Sequence, residues 1–191
     1  MGANNGQSAG AMKLSFVLIS LIHDNRMLRW FKDPYRLLKA AGLRNDLQVL
    51  EVGCGPGFYT VPAAEIVGQK GTIYAIDVNP WAIKRIKEKI ALHSVSNIKP
   101  IHANAAECGL PDNAIDLAFL FGLPRVMGGM ERLLLEMRRV IKLGGLLTLQ
   151  SSGRLNPNFR HRMTELGFET VQDTGRLLRY KRIATDVEKT C

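Results

Sequence analysis

Apolar residues in this chain follow two rhythms: short, largely apolar runs, and longer stretches in which one side of a helical turn is apolar. The short runs fall at 47–52, 72–76, 97–101, 115–121 and 145–150 and predict strands buried on both faces, as in a parallel sheet. The helical stretches lie between them. Asp33-Pro34 predicts a capped start, with Leu37, Leu38 and Ala41 on one face and Gly42 just past the end. A core helix over 60–67 is closed by Gly68, and Asn79-Pro80 starts another that reaches about Ser94. That helix turns Ile83, Ile86 and Ile90 inward and Lys84, Arg85, Lys87 and Lys89 outward. A helix over 129–141 points Met130, Leu133, Leu134 and Met137 inward, and Asn156-Pro157 starts a last one ending near Leu166 and Gly167. The rhythm then changes: 168–172 and 177–183 read as short strands around the turn Asp173-Thr174-Gly175. Alternating strands and helices followed by a hairpin predict an α/β fold with helices on both faces of a mostly parallel sheet.

One junction carries more information than the rest. Val49-Leu50-Glu51-Val52 runs into Gly53-Cys54-Gly55-Pro56-Gly57-Phe58 and a helix follows. Strand, glycine turn and helix hold a ligand against bare backbone. A dinucleotide site wants its third glycine three residues after the second, for helix packing. Here Gly57 comes two residues after Gly55 and Phe58 takes the next place, so a pyrophosphate is disfavoured. About twenty residues on, the second strand ends in Asp77, where a carboxylate accepts from both hydroxyls of a ribose. The unit is a βαβ nucleoside site.

With these residues in hand, the chain resembles the class I S-adenosylmethionine-dependent methyltransferases, and within them the small-molecule group that includes quinone-type enzymes. Two further segments agree. Gly109 to Phe119 is similar to the L-P-x-x-x-F-D stretch before the fourth strand, and Val140 to Leu147 to the K-P-G-G turn before the fifth, with Leu143 at the usual proline. The likeness covers roughly residues 45 to 150. It implies a Rossmann-like, seven-stranded sheet whose last strand runs antiparallel. By matching position it places the methionine ammonium near Glu51 and its carboxylate near the helix N-terminus. Backbone approach falls at Gly53, Cys54, Gly55 and Gly57, the ribose on Asp77 and an adenine face on Val78. Asn104-Ala105 stands where the family generally has an aspartate for the adenine amine, and the Phe121 carbonyl is offered to the ammonium. An ordinary turn asparagine and a plain core phenylalanine are the competing readings of Asn104 and Phe121.

Composition narrows the partners. A chain of 191 residues with 46% hydrophobic content suits one domain. Net charge is +9, and the basic groups at 84–89, 132–142 and 176–182 read as helix and edge-strand surfaces rather than one stripe. A small-molecule methyl acceptor is therefore favoured over nucleic acid. Cys54, Cys108 and Cys191 show no metal spacing and no disulfide framework, which fits a reducing, cytoplasmic setting, and Cys54 reads as a small apolar turn residue. Residues 1–10 are expected to form a disordered leader, 11–44 an N-terminal helical lid, 45–185 the methyltransferase domain and 186–191 a tail. The apolar segment 12–22 is too short to span a bilayer; cover over the site is favoured for it, with membrane contact as the alternative.

Transfer from a sulfonium needs alignment more than covalent help, and a base only for a protonated acceptor. No base is assigned. His23, His93, His102 and His161 are scattered; His23 and Tyr59 are the nearest to candidates. After the fourth strand, Phe121-Gly122-Leu123-Pro124 lacks the Asn/Asp-Pro-Pro-aromatic run used on amino nitrogens, and no Pro-Cys occurs there. The segment 123–130 is expected to form a wall of the acceptor pocket. RNA methylation and a non-catalytic cofactor-binding module are the alternative functions.

Overall fold

A computed structural model of the chain describes residues 33–121, 129–150 and 157–185. The expectations placed on the leader, on 11–32, on His23, on 123–128 of the pocket wall and on the tail at 186–191 lie outside the described residues. The described elements are α1 (Pro34–Ala40), β1 (Gln48–Val52), α2 (Thr60–Val67), β2 (Thr72–Asp77), α3 (Pro80–His93), β3 (Ile98–His102), β4 (Ile115–Leu120), α4 (Met130–Val140), β5 (Ile141–Gln150), α5 (Pro157–Glu165), β6 (Phe168–Asp173) and β7 (Leu177–Arg182).

The strands form one seven-stranded sheet in the order β3-β2-β1-β4-β5-β7-β6. β1 to β5 are parallel, and β7 runs antiparallel between β5 and β6. The expected Rossmann-like α/β sheet is therefore the fold, including its antiparallel C-terminal hairpin. The order reverses at β1, whose neighbours are β2 and β4, and the carboxyl ends of those strands flank the crevice used by open α/β folds.

Two apolar layers sandwich the sheet. Val49, Ile73, Ala75, Leu117 and Phe119 point to one side, beneath Leu38, Val61, Ala64, Ile83 and Ile86 of α1 to α3. Leu50, Ile76, Ala118 and Leu147 point to the other, beneath Leu133, Leu134, Met137 and Val140 of α4 and Met163 of α5. Pro34–Ala40 belongs to the first layer: Leu38 and Ala41 are fully buried, and the Ala41 carbonyl accepts from the Thr148 hydroxyl at 2.9 Å.

Three expectations need correction. Met130 is exposed rather than inward, because α4 begins there and its apolar stripe starts at Leu133 and runs to Val140. β5 starts at Ile141 rather than Gly145; Ile141 pairs with Ile115, and an irregularity accommodates the Gly144-Gly145 turn before Leu146 joins Leu117. Arg182 is not a surface cation. It is buried, and its guanidinium donates to the Ile141 carbonyl and, at 2.6 Å, to Asn113 Oδ1, which anchors the end of β7 beneath β5.

The two later sequence motifs are structural joints at the amino ends of the strands. Asp116 accepts from the Gln48 N–H and from Lys142 Nζ, both at 2.7 Å, which locks β1, β4 and β5 in register.

Candidate functional site

The glycine turn is built from its own hydrogen bonds. Gly53 N–H and Cys54 N–H both donate to the Ile76 carbonyl at the end of β2, and Gly57 N–H closes back on the Cys54 carbonyl. Gly55 N–H donates to Asp77 Oδ2 at 2.9 Å, while Asn79 N–H donates to Asp77 Oδ1 at 2.8 Å. Asp77 thus ties the turn after β1 to the turn after β2. A carboxylate oxygen accepts more than one hydrogen bond, so both oxygens retain acceptor capacity towards the crevice.

Gly53, Gly55 and Gly57 all have φ between 50° and 80°, a region L side chains rarely adopt. Gly57 is also pressed against α3: a Cβ there would lie 2.5 Å from Ile86 Cδ1. Nothing lies within 4 Å of a Cβ built on Gly55, so its bare backbone faces open space. The sequence grouped these glycines by one role, and the structure separates them into helix packing at Gly57 and open approach at Gly55.

Glu51 is 2% exposed, near the end of β1, and among the described residues its Oε2 has no hydrogen-bond partner. Burial pushes its carboxyl up to about 8; Asp77 adds to the rise, while the Thr60 hydroxyl and the Lys89 ammonium oppose it. The Thr60 hydroxyl faces this carboxyl, but among the described residues its Oγ1 makes no hydrogen bond of normal geometry. A buried polar atom without a partner costs on the order of 1–3 kcal/mol, more when charged, so a cationic group placed against Oε2 would stabilise the ionised carboxylate here.

Aromatic rings form the adjacent wall. Tyr59 sits edge-on to Phe58 at 4.8 Å and to Phe121 at 5.1 Å, and Phe121 leans on Phe119 at 4.9 Å. Burial, then the nearby Glu51 charge, raises the Tyr59 hydroxyl above its ordinary value. Cys54 is buried and its thiol is driven upward by burial and by Glu51, so it is no nucleophile.

On the other flank, Val78 is exposed beyond β2, and its carbonyl lies 3.0 Å from His102 Nε2. Asn104 caps a short 3-10 turn over Ala105–Glu107, with its Oδ1 accepting from Ala106 N–H at 3.0 Å. Glu51, Cys54, Gly55, Asp77 and Tyr59 are thus brought together; Val78 and Asn104-Ala105 stand on the neighbouring turns. Sequence reasoning missed Thr60, Lys89 and Ile86 as parts of this corner. Lys89 Nζ reaches the Gly57 carbonyl at 3.4 Å from α3, and only its place one helical turn beyond Ile86 signalled that.

A family model described as a methyltransferase domain matches residues 43–187. The chain belongs to the methyltransferase domain family. This methyltransferase domain is 35% identical over 128 residues to demethylmenaquinone methyltransferase of Geobacillus stearothermophilus, covering 66% of the chain and 53% of that relative. It is 31% identical over 138 residues to the enzyme of the same name from Listeria monocytogenes, covering 72% and 56%. The chain spans about half the length of the curated relatives it matches. A crystal structure of a SAM-dependent methyltransferase from Aquifex aeolicus superposes with a TM-score of 0.66 at 23% identity, covering 91% of this chain and 96% of that one. That likeness establishes the methyltransferase fold. Among the described residues, no helix is long and apolar enough to cross a membrane.

Proposed function

We infer that this methyltransferase domain transfers a methyl group from S-adenosylmethionine to a small, hydrophobic acceptor of the quinol kind. The observation that supports the cofactor assignment is the Glu51 carboxylate, buried beside an open glycine turn with one oxygen unpartnered among the described residues. The residues fit the group. Glu51 would take the ammonium, with the Phe121 carbonyl offered from the end of β4. Asp77 would take the ribose hydroxyls with the acceptor capacity left over from Gly55 and Asn79. The turn at Gly53, Cys54 and Gly55 would face the methionine end, and Val78 and Asn104-Ala105 would border the adenine. Asn104 would offer its second lone pair, because the first caps the Ala105–Glu107 turn.

When bound, S-adenosylmethionine would supply a methyl already activated on a sulfonium: the carbon–sulfur bond would break as the acceptor's bond to that carbon forms, leaving S-adenosylhomocysteine and releasing the acceptor's displaced proton to solvent. The chain's part is alignment and exclusion of water by the Phe58, Tyr59 and Phe121 wall. The acceptor assignment rests on the names of the matched relatives and on this apolar wall.

The test has two steps. Calorimetry with S-adenosylhomocysteine should show saturable binding that Glu51→Gln weakens at least tenfold. Labelled S-adenosylmethionine should then methylate a reduced demethylated naphthoquinone. Binding without transfer to any acceptor would leave a cofactor-binding module instead.

A further inference from the structure

We propose that the outer face of α3 is a docking surface for an anionic lipid bilayer. Trp81, Lys84, Glu88 and Leu92 recur at steps of three and four residues and so share one side of the helix. This is the side away from Ile83 and Ile86, which pack on the sheet. Two large apolar side chains stand out on it: Trp81 is 38% exposed and Leu92 is 78% exposed. Lys84 and Lys87 are exposed between them, and Glu88 is neutralised by Arg85 at 3.1 Å. Apolar anchors at both ends with uncompensated lysines between describe a helix lying in a headgroup layer, not one crossing it.

The charge is complementary to phosphate-bearing surfaces, which bilayers and nucleic acids share, and two observations favour the bilayer. Lys84 Nζ stands over the Trp81 ring at 5.8 Å from its centroid, covering a face on which a base would stack. Leu92 offers a polynucleotide nothing, whereas it inserts among acyl chains. The inference goes beyond the proposed reaction, and its test reads no methylation, so either can fail alone.

The full chain contains two tryptophans, Trp30 and Trp81. A Trp30→Phe background leaves Trp81 as the sole emitter. Mixed with vesicles of phosphatidylcholine and phosphatidylglycerol, Trp81 should shift to the blue and be quenched by lipids brominated near the headgroup. Pure phosphatidylcholine should give neither response. Lys84→Gln with Lys87→Gln should weaken vesicle affinity by roughly tenfold or more, since each basic residue contributes about 1 kcal/mol near an anionic surface. Leu92→Ser should weaken it without changing its salt dependence. Absent binding, binding with Trp81 unquenched, or binding unchanged in these variants overturns the proposal. So does tighter, salt-steep binding to single-stranded RNA that quenches Trp81.

Discussion

Asp77 and Gly55, twenty-two positions apart, are joined by a 2.9 Å hydrogen bond from the Gly55 N–H to Asp77 Oδ2. On the proposed reading, the carboxylate that would take the ribose therefore also holds the shape of the glycine turn. Asp77→Ala should lose both at once. Cofactor affinity should fall at least tenfold by calorimetry, and stability should fall by about 1–3 kcal/mol in urea titration as Gly55 and Asn79 N–H lose their partner. Asp77→Asn keeps an acceptor and should recover part of the stability but little of the affinity.

Gly57 and Gly55 should respond differently to alanine. At Gly57 the new methyl meets Ile86 Cδ1, which is fully buried, and φ is +80°. Gly57→Ala should cost about 2–3 kcal/mol from overpacking and backbone strain together, and Ile86→Val should return part of it. Gly55→Ala has only the strain to bear, about 1–2 kcal/mol, yet should abolish cofactor binding because its methyl enters the open approach. Paired denaturation and calorimetry separate the two. Equal losses of binding at equal stability would contradict the division of roles.

Glu51 makes the unliganded protein sensitive to pH. Its folded-state carboxyl, raised by burial to about 8, holds a proton that the unfolded chain has already released above about 4.5. The folded state therefore binds more protons across that window, and stability should fall as pH rises through it, by on the order of a few kcal/mol. Glu51→Gln should flatten the dependence. A cationic ligand prefers the ionised form, so cofactor affinity should rise as pH increases towards about 8, with proton release measurable in buffers of different ionisation heat. A pH-independent affinity would show that no cationic group meets this carboxylate.

The turn after β3 is stapled to α4 by one carboxylate. Glu136 Oε1 accepts from the Cys108 N–H at 2.9 Å and from the Cys108 thiol at 3.2 Å, while Arg139 donates to Glu136, to the Leu110 carbonyl and to Asp112. Hydrogen bonds from Arg139 hold Glu136 down at about 2. The staple should thus persist above the ordinary carboxylate range and be lost as pH falls through about 2. Burial, with Glu136 adding, pushes the Cys108 thiol up to about 11. Cys108 should react slowly with thiol reagents. Arg139→Gln should speed that reaction severalfold and raise amide exchange at Cys108 without unfolding the sheet.

The strands, the helices and the glycine turn were legible before any coordinates, because each is written in local order. Asp33 and Asn79 cap their helices through side chains two or three residues from the backbone they satisfy. The short apolar runs mark strands dry on both faces, and the 3.6-residue rhythm reports which side of a helix is dry. Glu51 and Asp77 were legible for the same reason, each standing at the tip of an apolar run.

What depended on contacts between elements was not. Whether Met130 is covered depends on where α4 begins relative to the sheet, and Arg182 is buried only because Asn113 and the Ile141 carbonyl, far away in sequence, converge on it. Only the tertiary structure separated Gly57, which must clear Ile86, from Gly55, which faces open space. The sequence by itself determined the order of elements and the types of residue at the crevice. The packing of α2 and α3 over the sheet decided which of those residues are dry. Desolvation, which gives Glu51 its raised affinity for protons, is a property of surroundings that no single segment carries.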